Sequence, residues 1–197
     1  MNINRHVGCG VWVMLALVVT AQAAMVIDNF NTGTLSGWDK SSGYMTLTNV
    51  SSPTYEGAGA MQVTWDDWNQ GWWENITKTF PSQDWSNYGT LQIALKTDAS
   101  AAGTVIINYF DSGAWHNGWG SSIGTLDLSL SGGNYAVYSI PLGTAARSSV
   151  TEILFSWDNQ YVNGTTTMYL DTIQVVPEPV SGALLALGGL LLLRRRR

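Results

Sequence analysis

Apolar and polar positions alternate along most of the chain, a pattern that predicts short β-strands. Leu91, Ile93 and Leu95, for example, are separated by polar or small residues, as in a strand with one face in a core. Turn-forming residues separate ten such segments, at residues 25–30, 44–49, 60–65, 73–80, 90–97, 104–110, 125–130, 135–140, 152–157 and 167–176. No apolar stripe with helical spacing is longer than two turns. We therefore predict an all-β fold, an antiparallel β-sandwich, with the jelly roll as its favoured form.

Both ends of the chain depart from this pattern and predict targeting segments. Arg5 and His6 precede an apolar run at residues 11–20, and Ala21-Gln22-Ala23 is a small-x-small cleavage site, so residues 1–23 predict a signal peptide. The C-terminal tail consists of Pro177, Glu178 and Pro179, an apolar run at residues 180–193, and Arg194, Arg195, Arg196 and Arg197. The run predicts a membrane helix, shorter than the roughly 20 residues that cross a bilayer core.

The three parts of this tail, in this order, resemble the PEP-CTERM sorting signal of bacteria that secrete extracellular polysaccharide. The resemblance implies that an exosortase cuts near the Pro-Glu-Pro, so that contact with the membrane through the C-terminal helix is transient. It also implies an exported protein at the cell envelope, on the outer surface or in the extracellular matrix. The alternative is an ordinary C-terminal anchor. Residues 24–176 are left as the β-sandwich domain, and residues 177–197 as the sorting signal.

The charge of this domain excludes some classes of partner. The whole chain has a net charge of −5. Residues 24–176 hold four basic side chains and 13 acidic ones, which gives 4 − 13 = −9. This balance argues against nucleic acid and is compatible with neutral sugars and with calcium. The only cysteine, Cys9, lies in the predicted signal peptide, so the domain forms neither a disulfide nor a thiolate metal site.

Four short motifs resemble the galactose-binding-type jelly rolls of bacterial carbohydrate-binding modules. They lie at residues 27–38, 55–63, 84–88 and 168–173, so the resemblance spans most of residues 25–176. Such modules often carry a structural calcium ion that ties the first and last strands together. The resemblance implies oxygen ligands for it from Asp28, Glu56, Gly57 and Asp171, the kind of donor that calcium prefers. The alternative is that Asp28 and Asp171 cap strand ends and accept hydrogen bonds from local amides.

Tryptophan is unusually frequent in the domain and suggests a sugar-binding surface. Flat aromatic rings pack against the C–H faces of sugars, and short polar side chains bind the hydroxyl groups. Loop positions that combine the two types are Trp68, Trp72, Trp115, Asn117, Trp119 and Tyr161. Other tryptophans are expected in the core, at Trp65, Trp73 and Trp157, or at the ends of the sandwich, at Trp38 and Trp85. The aromatic loops therefore predict a carbohydrate-binding protein with a polysaccharide as its partner.

Two other functions are weaker interpretations of the same residues. A glycoside hydrolase needs a pair of carboxylates, and Asp66 with Asp67 or Glu74 would supply one. Neighbouring acids are common in acidic loops, however. His116 is the domain's only histidine, and no nucleophile elbow or HExxH motif is present, so we predict a protein that is not an enzyme. The other alternative is a structural protein of the surface or biofilm matrix that binds no glycan.

Overall fold

Two antiparallel β-sheets form a sandwich in the computed structural model, which describes residues 22–41, 45–65, 74–98, 104–115, 124–157 and 166–177. In chain order the strands are β1 (Met25–Asp28), β2 (Trp38–Lys40), β3 (Met45–Val50), β4 (Ala60–Trp65), β5 (Glu74–Gln83), β6 (Tyr88–Thr97), β7 (Thr104–Asp111), β8 (Ala114–Trp115), β9 (Gly124–Asp127), β10 (Ala136–Pro141), β11 (Val150–Trp157) and β12 (Thr166–Pro177). The predicted antiparallel sandwich of jelly-roll type is confirmed.

The first sheet has the strand order β10-β6-β12-β4-β3, and the second has β2-β5-β11-β7-β8. The last strand, β12, lies inside the first sheet and pairs with β6 along one edge. Along its other edge, residues 166–170 pair with β4 and residues 173–175 pair with β1. In the second sheet, β9 adds to the β7 edge. The first and last strands of the domain are therefore direct neighbours.

The core lies between the sheets and is formed by every second residue of the long strands. Leu91, Ile93 and Leu95 of β6 are fully buried, as are Ile107 and Tyr109 of β7. This is the arrangement that period-two alternation produces when each sheet turns one face inward. Burying one large apolar side chain contributes about 1.5–3 kcal/mol. The repeated inward positions therefore hold the two sheets together without a disulfide.

All ten predicted strands occur, with differences at their ends and two additions. The pattern missed β2 and β8, which have only three and two residues and are too short to show alternation. The predicted strand at residues 125–130 was wrong in its second half, because Leu128–Ser131 is a 3-10 helix. The Asp127 side chain accepts a hydrogen bond from the Ser129 backbone at 2.9 Å and caps that helix. The leucines of this helix are spaced two residues apart, as in a strand, although its backbone is helical.

The tryptophans expected at the ends of the sandwich are buried or partly buried. Trp85 is fully buried and stacks on Phe80 with ring centroids 5.9 Å apart. Trp38 is partly buried and contacts Phe30 and Phe155. For Trp65 and Trp157 only the strand positions are described, and Trp73 lies outside the described residues. Trp85 is therefore a core residue, and Trp38 packs against the core.

Most of the two predicted targeting segments falls outside the described residues. These are residues 1–21 and 178–197, so the sorting signal is represented only by Pro177, the last residue of β12. Among the residues that are described, no helix is long and apolar enough to span a bilayer. The signal peptide and the C-terminal membrane helix therefore stay predictions.

Candidate functional site

The outward side of the second sheet carries a compact set of polar and apolar side chains, which we call the outer face of the second sheet. It is formed by the positions that alternate with the core residues of β5, β11 and β7. Three cross-strand rows make up this face: Asn75, Ser156 and Ile106; Thr77, Leu154 and Asn108; and Thr79, Glu152 and Phe110. Neighbouring positions in such rows are close enough for their side chains to act on one ligand.

Two polar groups of this face lack partners within the described chain. Asn108 is only 4% exposed, and its Oδ1 atom accepts no hydrogen bond from any described residue. Glu152, one strand away on β11, makes no ion pair or hydrogen bond with the described residues. Burial raises the pKa of the Glu152 carboxyl above its usual value because desolvation disfavours the charged form. An unpaired buried acceptor such as Asn108 Oδ1 is costly, and the Glu152 carboxyl beside it is only partly buried, so both side chains are suited to hydroxyl groups of a ligand.

An aromatic pair continues the third row toward the sheet edge. Phe110 of β7 is half-buried and lies opposite Trp115 of β8 in the backbone register. Thr79, Glu152, Phe110 and Trp115 thus follow one another across four adjacent strands. With strands about 4.8 Å apart, the row is about 14 Å long. Trp115 is the one predicted sugar-binding residue whose backbone is described, and it belongs to this row.

The other predicted sugar-binding residues lie outside the described residues: Trp68, Trp72, Asn117, Trp119 and Tyr161. Trp68 and Trp72 belong to residues 66–73, and Tyr161 belongs to residues 158–165. The described strand ends show where these two segments join the sheets. Glu74, which follows residues 66–73, pairs with Trp157, which precedes residues 158–165. On the other sheet, Trp65 pairs with Thr166. Residues 66–73 and 158–165 are therefore both anchored at the same end of the sandwich.

The predicted calcium ligands are divided between two arrangements. The Asp171 carboxylate is fully buried and accepts hydrogen bonds from the backbone N–H groups of Tyr55 at 2.7 Å and Glu56 at 3.2 Å. The Thr172 hydroxyl lies 2.6 Å from Glu56 Oε1 and 3.2 Å from Asp171 Oδ1. It has one proton, so it donates to only one of these two oxygens. Glu56 and Asp171 are thus brought together, with Gly57 next to Glu56 in the chain.

Asp28, by contrast, is held by a lysine. Lys78 Nζ lies 2.7 Å from Asp28 Oδ2, and the indole N–H of Trp38 donates to the same oxygen at 2.9 Å. Asp28 Oδ1 accepts a hydrogen bond from the Phe30 backbone at 2.9 Å. In the described part of the chain no three carboxylate, histidine or cysteine side chains are grouped for a metal. Asp28 does not fit a calcium site because an ammonium group already neutralises its carboxylate.

The Asp28–Lys78 pair borders an open cavity of about 370 Å³. Val26, Asn29, Thr32 and Ser36 also line it. Ser36 contributes a backbone carbonyl that accepts a hydrogen bond from Lys78 at 2.5 Å. Because the charged groups at this cavity satisfy one another, it lacks the unpaired acceptors found on the outer face of the second sheet.

The residues considered for hydrolysis do not form a described pair. Glu74 is only 3% exposed, at the start of β5, and it shares the inward alternation of Ile76. Asp66 and Asp67 lie outside the described residues. Burial of Glu74 on the core side makes it a poor partner for a substrate.

Sequence comparisons find no match, whereas structural comparisons find proteins with the same fold. No protein-family model matches the chain, and no curated protein matches it. The fold is similar to that of the family 11 carbohydrate-binding module from Clostridium thermocellum, solved with a β-1,3-1,4-mixed-linked tetrasaccharide, with a TM-score of 0.58 and 14% identity. That match covers 80% of this chain and 98% of the module. The chain has the fold of carbohydrate-binding modules.

Two further structures show how widely this fold is used. The module CBM27-1 from Caldicellulosiruptor saccharolyticus, in complex with mannohexaose, matches with a TM-score of 0.57 and 13% identity, over 80% of this chain and 99% of the module. An exo-β-agarase matches with a TM-score of 0.61 and 11% identity, over 80% of this chain but only 25% of the agarase. At these identities the similarity establishes the fold alone.

Proposed function

We propose that this protein is an exported carbohydrate-binding protein that binds polysaccharide through the outer face of the second sheet. The observation that carries the proposal is a pair of polar groups with no partner among the described residues, Asn108 Oδ1 and the Glu152 carboxyl, on the same face as Phe110. Sugar hydroxyls supply the missing donors, and the C–H faces of a sugar ring pack on an aromatic ring. The fold shared with carbohydrate-binding modules supports the same function.

We also assign to this site the sugar-binding residues that the sequence predicts in the loops. Trp115 pairs with Phe110 in the backbone register, and directly opposed positions of an antiparallel pair belong to the same row. Trp119 and Asn117 follow Trp115 closely in the chain. We propose that they, with Trp68, Trp72 and Tyr161 from the flanking segments, complete the aromatic and polar lining of the sugar site.

Tryptophan fluorescence of the full-length protein, titrated with soluble polysaccharides, tests this function. Mixed-linked β-glucan, xylan and mannan are suitable neutral probes. We expect a saturable blue shift with at least one of them, and binding about tenfold weaker in Phe110→Ala and in Glu152→Gln. Val137→Ala, an exposed position on the first sheet, is the matched control and should bind normally. If the folded protein responds to no polymer, the alternative of a non-binding structural matrix protein replaces this proposal.

We further propose that the tail directs export and is then removed. The proposed order is cleavage of the signal peptide after residue 23, followed by exosortase cleavage near Pro177, Glu178 and Pro179. The protein would then act among extracellular polysaccharide at the cell envelope, on the outer surface or in the matrix. The intact mass of the protein recovered from the envelope and culture medium of a host with exosortase tests this. A mass that retains the arginine cluster contradicts the proposed cleavage.

A calcium ion is proposed only for the Glu56–Gly57–Asp171 group, without Asp28. Its support is the single Thr172 hydroxyl proton between two carboxylates, because a cation would offset their mutual repulsion. We expect calcium to raise the melting temperature of the wild-type protein and to have a smaller effect on Glu56→Gln. An unchanged melting temperature in chelator and in excess calcium would remove the metal from the proposal.

A further inference from the structure

The outward side of the first sheet carries a second aromatic surface, which we call the tyrosine–lysine face. It is defined by Tyr55, Lys96, Tyr135 and Tyr169. Lys96 of β6 lies directly opposite Tyr169 of β12, and Tyr169 lies opposite Gln62 of β4. Tyr135 directly precedes β10, whose first residue pairs with the residue before Lys96. Tyr135, Lys96 and Tyr169 therefore follow one row across neighbouring strands, on the opposite side of the sandwich from Phe110, and Tyr55 lies beside Tyr135 from the connection between β3 and β4.

An exposed tyrosine of this face, Tyr55, packs beside a partly buried one, Tyr135, whose hydroxyl is held by a hydrogen bond. Tyr55 is 48% exposed, and its ring centroid lies 5.8 Å from that of Tyr135, with the planes tilted by 55°. The Tyr135 hydroxyl donates a hydrogen bond to the Pro53 carbonyl at 3.0 Å. Burial, followed by the nearby charge of Asp171, raises the pKa of Tyr135, so this hydroxyl stays protonated as a donor. A fixed ring supporting an exposed one provides a platform that needs little ordering when a ligand binds.

Lys96 is distinguished from the other basic side chains of the described chain by its lack of an oxygen partner. Lys40 and Arg147 donate to backbone carbonyls, and Lys78 donates to Asp28. Lys96 Nζ instead lies 5.8 Å from the centroid of the Tyr169 ring and donates no hydrogen bond to a described residue. The ring contact holds the ammonium group in position while its N–H donors stay available. Such a group is suited to a carboxylate ligand.

The acidic groups near this face are already occupied. Asp171 is fully buried and accepts backbone N–H groups, and the Thr172 hydroxyl lies within hydrogen-bond distance of Glu56. Asp98 accepts the backbone N–H of Thr167 at 3.2 Å. No described ion pair therefore competes with a ligand for Lys96. By contrast, Glu152 places an acid, without a described partner, on the outer face of the second sheet.

We propose that the tyrosine–lysine face is a second glycan site, selective for acidic polysaccharide whose sugar units carry carboxylates. A uronate carboxylate would accept charge-assisted hydrogen bonds from Lys96, and its sugar ring would pack against Tyr55. The amide of Gln62, next in the row, is placed to bind a hydroxyl group. Because this site lies on the other sheet, it does not depend on the neutral-glycan site proposed above.

Retention in native gels that contain polygalacturonate, compared with gels that contain its methyl ester, tests the proposal with full-length protein. The two polymers share a backbone and differ in carboxylate charge. We expect retention by polygalacturonate, weak retention by the ester, and a loss of retention as salt rises. Lys96→Gln should weaken binding about tenfold, and Lys96→Arg should restore most of it. Tyr55→Ala, which leaves the charge unchanged, should also weaken binding.

Lys40→Gln is the matched control, because it removes the same charge from a position outside the face. The proposal is overturned if Lys96→Gln and Lys40→Gln lose retention equally, since binding would then follow net charge alone. Equal retention by both polymers, or no retention by either, also overturns it. Glu152→Gln separates the two sites: it should weaken binding of neutral glycan and leave retention by polygalacturonate intact. Melting temperatures of all variants show whether each one is folded.

Discussion

Replacement of Lys78 by methionine is expected to destabilise the sandwich strongly. The Lys78 and Asp28 side chains are only 11% and 14% exposed, and Nζ lies 2.7 Å from Oδ2. Removing one partner of a buried ion pair costs about 3–5 kcal/mol, because the other charge stays buried without compensation. The hydrogen bonds that Asp28 accepts from Trp38 and Phe30 remain, so we expect about 3 kcal/mol, at the lower end. For a domain of this size that corresponds to a fall in melting temperature of roughly 6–12 °C.

A double-mutant cycle measures the coupling between these two charges. Lys78→Met, Asp28→Asn and the double variant are unfolded in urea, with tryptophan fluorescence as the signal. The double variant should lose less unfolding free energy than the two single variants lose together, because it contains no buried unpaired charge. A loss below about 1 kcal/mol for Lys78→Met, which is typical of exposed pairs, would refute the reasoning. Strict additivity would refute it as well.

Three further predictions concern the core, a close backbone contact and pH. Trp85→Ala should lower the unfolding free energy by about 3–5 kcal/mol in urea denaturation, because the ring is fully buried. Gly59→Ala should cost about 1–3 kcal/mol in the same assay, because a Cβ atom there would overlap the Phe30 carbonyl oxygen. The raised pKa of Glu152 means that the folded state holds its proton more tightly, so this group's stability contribution is present below pH 4.5 and lost as the pH rises through the raised pKa. Glu152→Gln should therefore show a smaller decline in melting temperature between pH 4 and pH 7 than the wild type.

The fold could be predicted from the sequence because most strands have one face in the core. Alternation at Leu91, Ile93 and Leu95 is a local signal that needs no knowledge of the partner strand. The 3-10 helix at Leu128–Ser131 was missed because its leucines keep the same alternation, while the Asp127 cap and the left-handed Gly132 set the backbone. The two shortest strands were missed because two or three residues contain too little pattern.

The candidate site was harder to predict because it depends on strand register. Asn108 and Glu152 are 44 positions apart, and each is an ordinary polar residue within a predicted strand. Only the pairing of β7 with β11 places them on one face. Lys78 was missed for the same reason, since nothing local links it to Asp28. One feature of the sequence could have pointed to the site: Asn108 is a polar residue inside a strongly apolar strand, and such a residue needs a hydrogen-bond partner.

The position of β12 inside the first sheet determines when the domain can finish folding. Until residues 166–177 have been synthesised, β6 has no neighbour on one edge, and β1 has no strand to pair with. A chain without them would expose strand edges and apolar side chains, so the sandwich is completed only when its last strand is present. A cut after Pro177, by contrast, removes no residue of the described sheets. Maturation of the C-terminus is therefore compatible with a fully assembled sandwich, whereas a cut a few residues earlier would shorten its innermost strand.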